Sequence, residues 1–266
     1  MFDRYNRKIN YLRISVTDRC NLRCAYCMPE QGINLLEHEE ILSFEEIRDF
    51  TSVAVHKGID KVRVTGGEPL VRKGIVDLVE MLAGIKGIRD LAMTTNGVLL
   101  DRYAKPLAKA GLDRVNVSLD SMDAGRYREI TRRGNLGDVL KGIDAALDAG
   151  LTPVKLNCVI RESPAEKDAR EVTAYAAEKG LEVRFIREMS LSRGAFHQVI
   201  GGEGGNCITC NRLRLTADGK LKPCLFSDIE IDIRKKGYER AIELALKKKP
   251  LSGTRSLSGH FSNIGG

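Results

Sequence analysis

The chain has 266 residues, 42% of them hydrophobic and 30% charged, which is enough apolar chain for one large core or two modest ones. Its formal charge of +7 points to an anionic partner, and basic residues that are dispersed, with no tryptophan and few aromatics, favour a small anion over nucleic acid. No apolar run is long enough to cross a bilayer, and the opening MFDRYNRKIN lacks the apolar core of a secretion leader, so the expected setting is the cytoplasm.

The first strand-like run, YLRISVT, leads into TDRCNLRCAYCMPE, where Cys20, Cys24 and Cys27 crowd one loop. Next comes SFEEIRDFTSVAVHKG, with apolar residues at helical spacing and a closing glycine. Ser43 stands as its N-cap and Glu46 three residues later completes a capping-box pattern. KVRVTGG, DLAMTTN, DRVNVSLD, PVKLNCVI and EVRFIRE follow as further strands, with LGDVLKGIDAALDAG as a helix among them. Six strands alternating with helices imply a parallel sheet, either a partial (βα) barrel or a doubly wound sheet, and periodicity does not choose between them. In both, ligands gather at the C-terminal ends of the strands. The cysteine loop, TGGEP, TTNG and SLD all fall at such ends. Cys158, inside PVKLNCVI, reads as a small buried apolar residue.

After Met189 the texture changes to SLSRGAFHQVIGGEGGNC, which is short, glycine-rich and without period. A boundary is placed here, between segments 1–190 and 191–266, and GGEGG reads as a flexible joint. Cys207, Cys210 and Cys224 follow, then YERAIELALKKKP, an amphipathic helix whose end, Lys247 to Lys249, reads as a solvated basic run. The chain closes on a polar tail ending in GHFSNIGG.

Seven cysteines without an export signal favour metal or redox use over disulfides. Thiolates suit zinc, copper(I) or iron–sulfur clusters. A structural zinc wants four ligands, and each set here supplies three. For the second set, His197 or His260 could complete a zinc site. A cubane cluster held by three cysteines instead leaves one iron open to chelate another molecule.

CNLRCAYC fits the CxxxCxΦC signature of radical S-adenosylmethionine (SAM) enzymes, and TGGEP resembles their second motif. The late CITCNRLRLTADGKLKPC narrows the likeness. Together with LRISVTDRCNLRCAYCMP, VRVTGGEPLVRKG, TTNGVLL, VNVSLDSMD, VKLNCVI, VRFI and the terminal NIGG, it resembles the GTP 3′,8-cyclase family of molybdenum-cofactor biosynthesis along nearly the whole chain.

That resemblance implies an α/β fold: a partial (βα)6 TIM barrel of radical SAM type over 1–190, and a short C-terminal auxiliary-cluster segment over 191–266. It implies two [4Fe-4S] clusters, one on Cys20, Cys24 and Cys27 and one on Cys207, Cys210 and Cys224. SAM is the cofactor of the first cluster. It would be cleaved by one electron to a 5′-deoxyadenosyl radical that takes the hydrogen from C3′ of GTP, giving 3′,8-cyclo-7,8-dihydro-GTP. By the same likeness Tyr26, Gly66, Gly67, Glu68, Ser118 and Met189 hold SAM, with close ligand approach as the reason for the glycines. Arg13, Lys61, Arg63, Thr94, Lys155, Arg184, Arg212 and Arg214 hold GTP, as suits a triphosphate that needs several cations. Gly265 and Gly266 match a catalytic diglycine tail.

The implied partners are GTP, a reductant such as flavodoxin or ferredoxin, and a downstream cyclic pyranopterin monophosphate synthase. A homodimer is compatible with the likeness; membrane and nucleic acid are not expected. The chain departs from the family in its short 190–206 connection, in Arg187 where a glutamate is usual, and in its serine-rich tail. These departures leave room for a second reading, a radical SAM enzyme with an auxiliary cluster acting on another substrate such as a peptide. A third reading, a zinc or iron–sulfur module holding nucleic acid, leaves Tyr26 and TGGEP without a purpose.

Overall fold

Strand β1 (Tyr11–Ser15) displays the rule on which the whole sheet is built. Leu12 and Ile14 are fully buried in the apolar core, while Tyr11 and Arg13 face a polar cavity. Alternation of this kind follows from the two-residue period of a strand. The structure, a computed structural model, describes residues 1–257 and 261–264.

The other strands are β2 (Lys61–Thr65), β3 (Asp90–Thr95), β4 (Arg114–Ser118), β5 (Lys155–Ile160), β6 (Glu182–Arg187), β7 (Arg212–Leu215), β8 (Lys220–Lys222) and β9 (Ile231–Asp232). The sheet runs β6-β5-β4-β3-β2-β1-β7-β8-β9. The strands from β6 through β7 pair in parallel, and β8 and β9 finish the sheet antiparallel. Val62 and Val64, Val115 and Val117, Leu156 and Cys158, and Leu213 and Leu215 all belong to the core. Lys61 and Arg63, Arg114 and Asn116, Lys155 and Asn157, and Arg212 and Arg214 line the cavity. Cys158 is thus a buried apolar residue, as its surroundings in the sequence require.

Helices cover the apolar face: α1 (Phe44–His56), α2 (Ile75–Ala83), α3 (Leu100–Lys109), α4 (Ala124–Thr131), α5 (Leu136–Asp148) and α6 (Lys167–Lys179). In α1 the capping box forms, with Glu46 N donating to Ser43 Oγ at 3.1 Å and Ser43 N to Glu46 Oε2 at 2.8 Å. Ile47, Phe50 and Ala54 fall on one face and are buried. Full burial of a side chain such as Phe50 contributes roughly 1.5–3 kcal/mol.

The C-terminal part does not stand apart from the six alternating units. It adds β7 as a seventh parallel strand, with Tyr11 level with Arg212 and Arg13 level with Arg214. It also adds α7 (Ile233–Lys236), α8 (Tyr238–Lys248) and the short α9 (Phe261–Ile264). Helix α8 packs on α1, where the Tyr238 and Phe50 rings meet edge to face at 5.7 Å.

The glycine-rich connection is a packed turn, which corrects its reading as a flexible joint. Phe185 and Ile200 exchange two backbone hydrogen bonds of 3.0 Å, so the segment fastens to the outer edge of β6. Val199 N then donates to Gly204 O at 2.8 Å. At Gly205 φ is +79°, and a Cβ there would lie 2.0 Å from the His197 carbonyl oxygen. The glycines serve the sharp reversal and the close approach of two backbone stretches. No described helix is long and apolar enough to cross a membrane.

Candidate functional site

The cysteine loop at the end of β1 is held from several sides. Cys27 N and Met28 N both donate to Cys24 O at 3.0 Å, which curls the loop on itself. Arg132 Nη1 reaches from the end of α4 to Arg23 O and Met28 O, each at 2.9 Å. The glycines after β2 make room for this loop. A Cβ on Gly67 would lie 2.4 Å from Arg19 O, and one on Gly66 would lie 2.8 Å from Thr17 O. Gly67 N donates to Thr17 O at 2.7 Å and Glu68 N to Arg19 O at 2.8 Å. In the structure, then, it is the cysteine loop's own backbone that crowds these glycines.

A cavity of ≈ 190 Å³ opens beside the loop, lined by Cys20, Cys24, Tyr26, Cys27, Gly66, Gly67, Glu68, Thr94, Ser118 and Met189. Every residue expected to hold the first cluster or SAM reaches it. Arg187 lines it too, and its guanidinium donates to Glu162 O at 2.5 Å.

The electrostatics here favour protonated groups. Burial pushes the Cys20 thiol up, and it pushes Cys27 up to about 11. Cys24 is raised further by burial and then by the nearby Asp120 carboxylate. A metal that takes these sulfurs must displace their protons. Asp120 is itself pushed up to about 6 by burial, although Val159 N and the Tyr26 hydroxyl both donate to it at 2.8 Å. Glu68 is pushed up to about 7 by burial, against donation from Leu70 N at 3.0 Å and from Thr95 Oγ1 and Asn96 N at 2.7 Å.

A larger cavity of ≈ 510 Å³ occupies the N-terminal half of the strands and shares Asn157, Ile186 and Met189 with the first. Strand-end logic alone puts ligands at the other end. The difference arises because alternate residues of a half-open barrel line its lumen along their whole length. Arg13, Lys61, Arg63, Lys155, Arg184, Arg212 and Arg214 all line this cavity, with Cys207, Cys210 and Cys224 on the same wall. Thr94 lies in the smaller cavity and links the two, accepting from Arg63 Nη1 at 3.4 Å.

Cation-rich surroundings of this kind are costly without an anion. Burial lowers Arg13 well below its ordinary value, with Arg214 as the next cause. Arg214 falls to about 10, through burial and then Arg212. The buried Nε atoms of Arg63 and Arg184 have no hydrogen-bond partner among the described residues. Two carboxylates of the wall are already engaged: Asp90 takes Arg114 at 2.6 and 2.9 Å, and Glu182 takes Lys155.

Four residues of the site escaped the sequence reading. The Tyr11 ring lies between two cations, with Arg63 5.7 Å and Arg212 5.4 Å from its centroid. The Asp90–Arg114 pair sits on the cavity wall. Lys249, expected in solvent, is 1% exposed and lies against Cys210. The alternation of β1 carried the first signal; nothing in a run of three lysines distinguished Lys249.

The second cysteine set is divided: burial raises the Cys224 thiol, as in the first set, whereas Cys210 shifts the other way. Burial acts to raise Cys210, but Lys249 and Arg212 outweigh it and hold the thiol below its ordinary value. Among the described residues, no three His, Cys, Asp or Glu side chains converge closely enough to hold a single ion. Each cysteine trio instead opens on a cavity, as the donor set of an iron–sulfur cluster with an accessible corner requires. His260, Gly265 and Gly266 lie outside the described residues.

Residues 14–185 match the Radical SAM superfamily, and residues 160–250 match Molybdenum Cofactor Synthesis C. The chain is 47% identical over 281 residues to a GTP 3′,8-cyclase of Thermodesulfovibrio yellowstonii, covering 88% of this chain and 87% of the relative. It is 45% identical to a GTP 3′,8-cyclase of Alkaliphilus oremlandii, over 88% and 86% of the two chains. With the GTP 3′,8-cyclase of Petrotoga mobilis it shares 42% identity, over 95% and 94%. Its fold is similar to that of native anSMEcpe with bound AdoMet, with a TM-score of 0.66 at 14% identity over 91% of this chain and 81% of the other. It is also similar to Streptococcus suis SuiB bound to S-adenosylmethionine, with a TM-score of 0.64 at 15% identity over 92% and 65%.

Proposed function

Because this chain belongs to the GTP 3′,8-cyclase family within the radical SAM superfamily, we propose that its two adjoining cavities form one active site, the smaller for SAM and the larger for GTP. The enzyme is a radical SAM lyase that converts GTP to 3′,8-cyclo-7,8-dihydro-GTP, a step of molybdenum-cofactor biosynthesis. The peptide-directed reading is not favoured: relatives at 41–47% identity over most of the chain carry the cyclase name, and the peptide-bound neighbours share the fold alone.

One observation carries the assignment of the larger cavity. Arginines from β1, β2, β6 and β7 face one space, Arg63 buried and the others half-buried, and the buried Nε atoms of Arg63 and Arg184 await an acceptor. A triphosphate offers many acceptors and offsets the charge that burial makes expensive. Arg13, Lys61, Arg63, Lys155, Arg184, Arg212 and Arg214 would bind it, with Thr94 on the side toward SAM. Tyr26, Gly66, Gly67, Glu68, Ser118 and Met189 would orient SAM over Cys20, Cys24 and Cys27. The cluster on these cysteines would supply the one-electron chemistry that cleaves SAM. Cys207, Cys210 and Cys224 fit a second [4Fe-4S] cluster at the far wall of the GTP cavity, where an open corner would meet the base. The role of Gly265 and Gly266 rests on the family likeness alone.

Segments 1–190 and 191–266 then supply the SAM side and most of the second-cluster side respectively. A flavodoxin or ferredoxin in the cytoplasm would deliver the electron, a synthase would consume the product, and a homodimer is compatible with this arrangement. Only 88% of this chain takes part in the 281-residue match, so that relative carries some tens of residues with no counterpart here. We place the deficit in the 190–206 connection.

The test is anaerobic reconstitution with iron and sulfide, followed by SAM, dithionite and GTP. Two cubane clusters predict about eight irons per chain. Appearance of both 5′-deoxyadenosine and the cyclised nucleotide is expected. SAM cleavage with GTP untouched would overturn the substrate assignment and leave the radical core standing.

A further inference from the structure

Five residues that follow helix α8, Lys249 to Gly253, touch all three members of the second cysteine set. The Lys249 ammonium has three hydrogens and three acceptors: Pro223 O at 2.6 Å, Arg212 O at 2.7 Å and Cys210 Sγ at 3.5 Å. Arg212 stands two residues after Cys210, and Pro223 immediately precedes Cys224. One buried side chain therefore joins the two stretches that carry these cysteines.

Beyond it, the Arg7 guanidinium donates to Pro250 O at 2.7 Å, to Leu251 O at 2.9 Å and to Cys207 O at 2.7 Å. Ser252 Oγ lies 3.5 Å from Cys207 Sγ. At Gly253 a Cβ would come 2.7 Å from Phe226 Cβ and 3.1 Å from Cys224 Sγ, so the backbone passes as close to that sulfur as glycine allows.

The charge balance singles out Lys249. Lys222, just as deeply buried, pairs with Glu230 at 2.7 Å. None of the described hydrogen-bond partners of Lys249 is a carboxylate. A buried ammonium needs a counter-charge, and here the sulfurs of the set are the groups that can supply it.

We propose that Lys249 is the positioning residue of the second cysteine set, fixing Cys210 and Cys224 relative to one another and offsetting the negative charge of the iron–sulfur cluster they hold. The proposal rests on the reading that this set holds a cluster. Net charge and hydrogen bonds to the sulfurs are what set the potential of such a cluster. A fixed positive charge favours the more negative, reduced state, so its removal shifts the midpoint potential downward.

The experiment compares wild type with Lys249→Met, Lys249→Arg and a triple variant with Cys207, Cys210 and Cys224 changed to alanine. Each is reconstituted without oxygen, its iron is counted, and its reduced-cluster spectrum is followed through a redox titration. Lys249→Met is expected to shift the second cluster's midpoint to a more negative value, or to lose that cluster's iron, while the first cluster keeps its own iron and potential. Lys249→Arg should restore the wild-type behaviour. A Lys249→Met protein with full iron and an unshifted second midpoint overturns the proposal, as does equal damage to both clusters. Wild type with no more iron than the triple variant would overturn the cluster reading, and the proposal with it.

Discussion

Arg13 of β1 stands level with Arg214 of β7 in the parallel register, so two guanidinium-bearing residues are neighbours across the strands that close the larger cavity. Like charges side by side on adjacent strands oppose folding. A protein keeps such an arrangement where a ligand relieves it, and this cavity accumulates the same tension at Arg63 and Arg184.

Replacing Arg63 by methionine therefore separates stability from binding. Arg63 is 4% exposed and is lowered chiefly by burial. The ligand-free variant is expected to melt at or above the wild-type temperature. The loss of a buried charge-assisted contact should weaken GTP by about 2 kcal/mol, roughly 30-fold. Thermal melts with and without GTP check both; a variant that melts lower yet binds GTP as tightly as wild type contradicts this account.

Tyr11 should matter through its ring. Each cation over an aromatic face contributes about 1 kcal/mol in a desolvated site. Tyr11→Leu is expected to raise the GTP dissociation constant roughly 10-fold, and Tyr11→Phe to stay within about 3-fold of wild type. Equal losses in both would assign the effect to the hydroxyl instead.

Gly67→Ala tests the packing of the first cysteine loop. The added methyl would sit 2.4 Å from Arg19 O, which is backbone and cannot swing aside. The loop must shift, and the expected result is loss of the first cluster's iron with the second retained. Iron counts per chain, about four instead of about eight, report it. Full iron content in this variant would show that the loop accommodates the methyl.

The Glu68 carboxyl gives the metal-free protein a dependence on pH. Its value of about 7 in the fold stands above the ordinary 4.5, because burial favours the neutral form. The folded state thus holds the proton more tightly. The resulting stability is fully present below about pH 4.5 and is lost as pH rises through about 7, on the order of 3 kcal/mol in all. Denaturant unfolding of the metal-free protein should show stability falling from pH 5 to pH 8. Glu68→Gln should flatten that slope, even if its overall stability is lower. An unchanged slope would place the titration elsewhere.

Much of this was written in the sequence, for physical reasons that differ by residue. Cys20, Cys24 and Cys27 announce themselves because ligand spacing on one loop is local. The six parallel strands are legible as short β-rich runs, and in β1, β2 and β4 apolar and polar residues alternate throughout. The seventh is not: RLRL is four residues long, and its partner β1 lies some two hundred positions away. Gly67 was recognised as necessary but for another reason, since only the folded chain brings Arg19 O against it. Lys249 was hidden because burial of one lysine among three depends on how α8 ends, which composition does not record.

The pairing of β1 with β7 also sets an order of events. Tyr11 is synthesised some two hundred residues before Arg212, and earlier still relative to the Lys249–Gly253 segment. At roughly 5–20 residues per second, the first cysteine loop and the strands around it are present for on the order of ten seconds or more before their last neighbour arrives. During that interval one edge of β1 offers unpaired backbone groups, the kind of edge that captures foreign strands. The second cysteine set lacks its neighbours Lys249, Ser252 and Gly253 until that segment docks, so metal loading in the cell should proceed from the first set to the second, and chains cut short after β6 should carry the first alone.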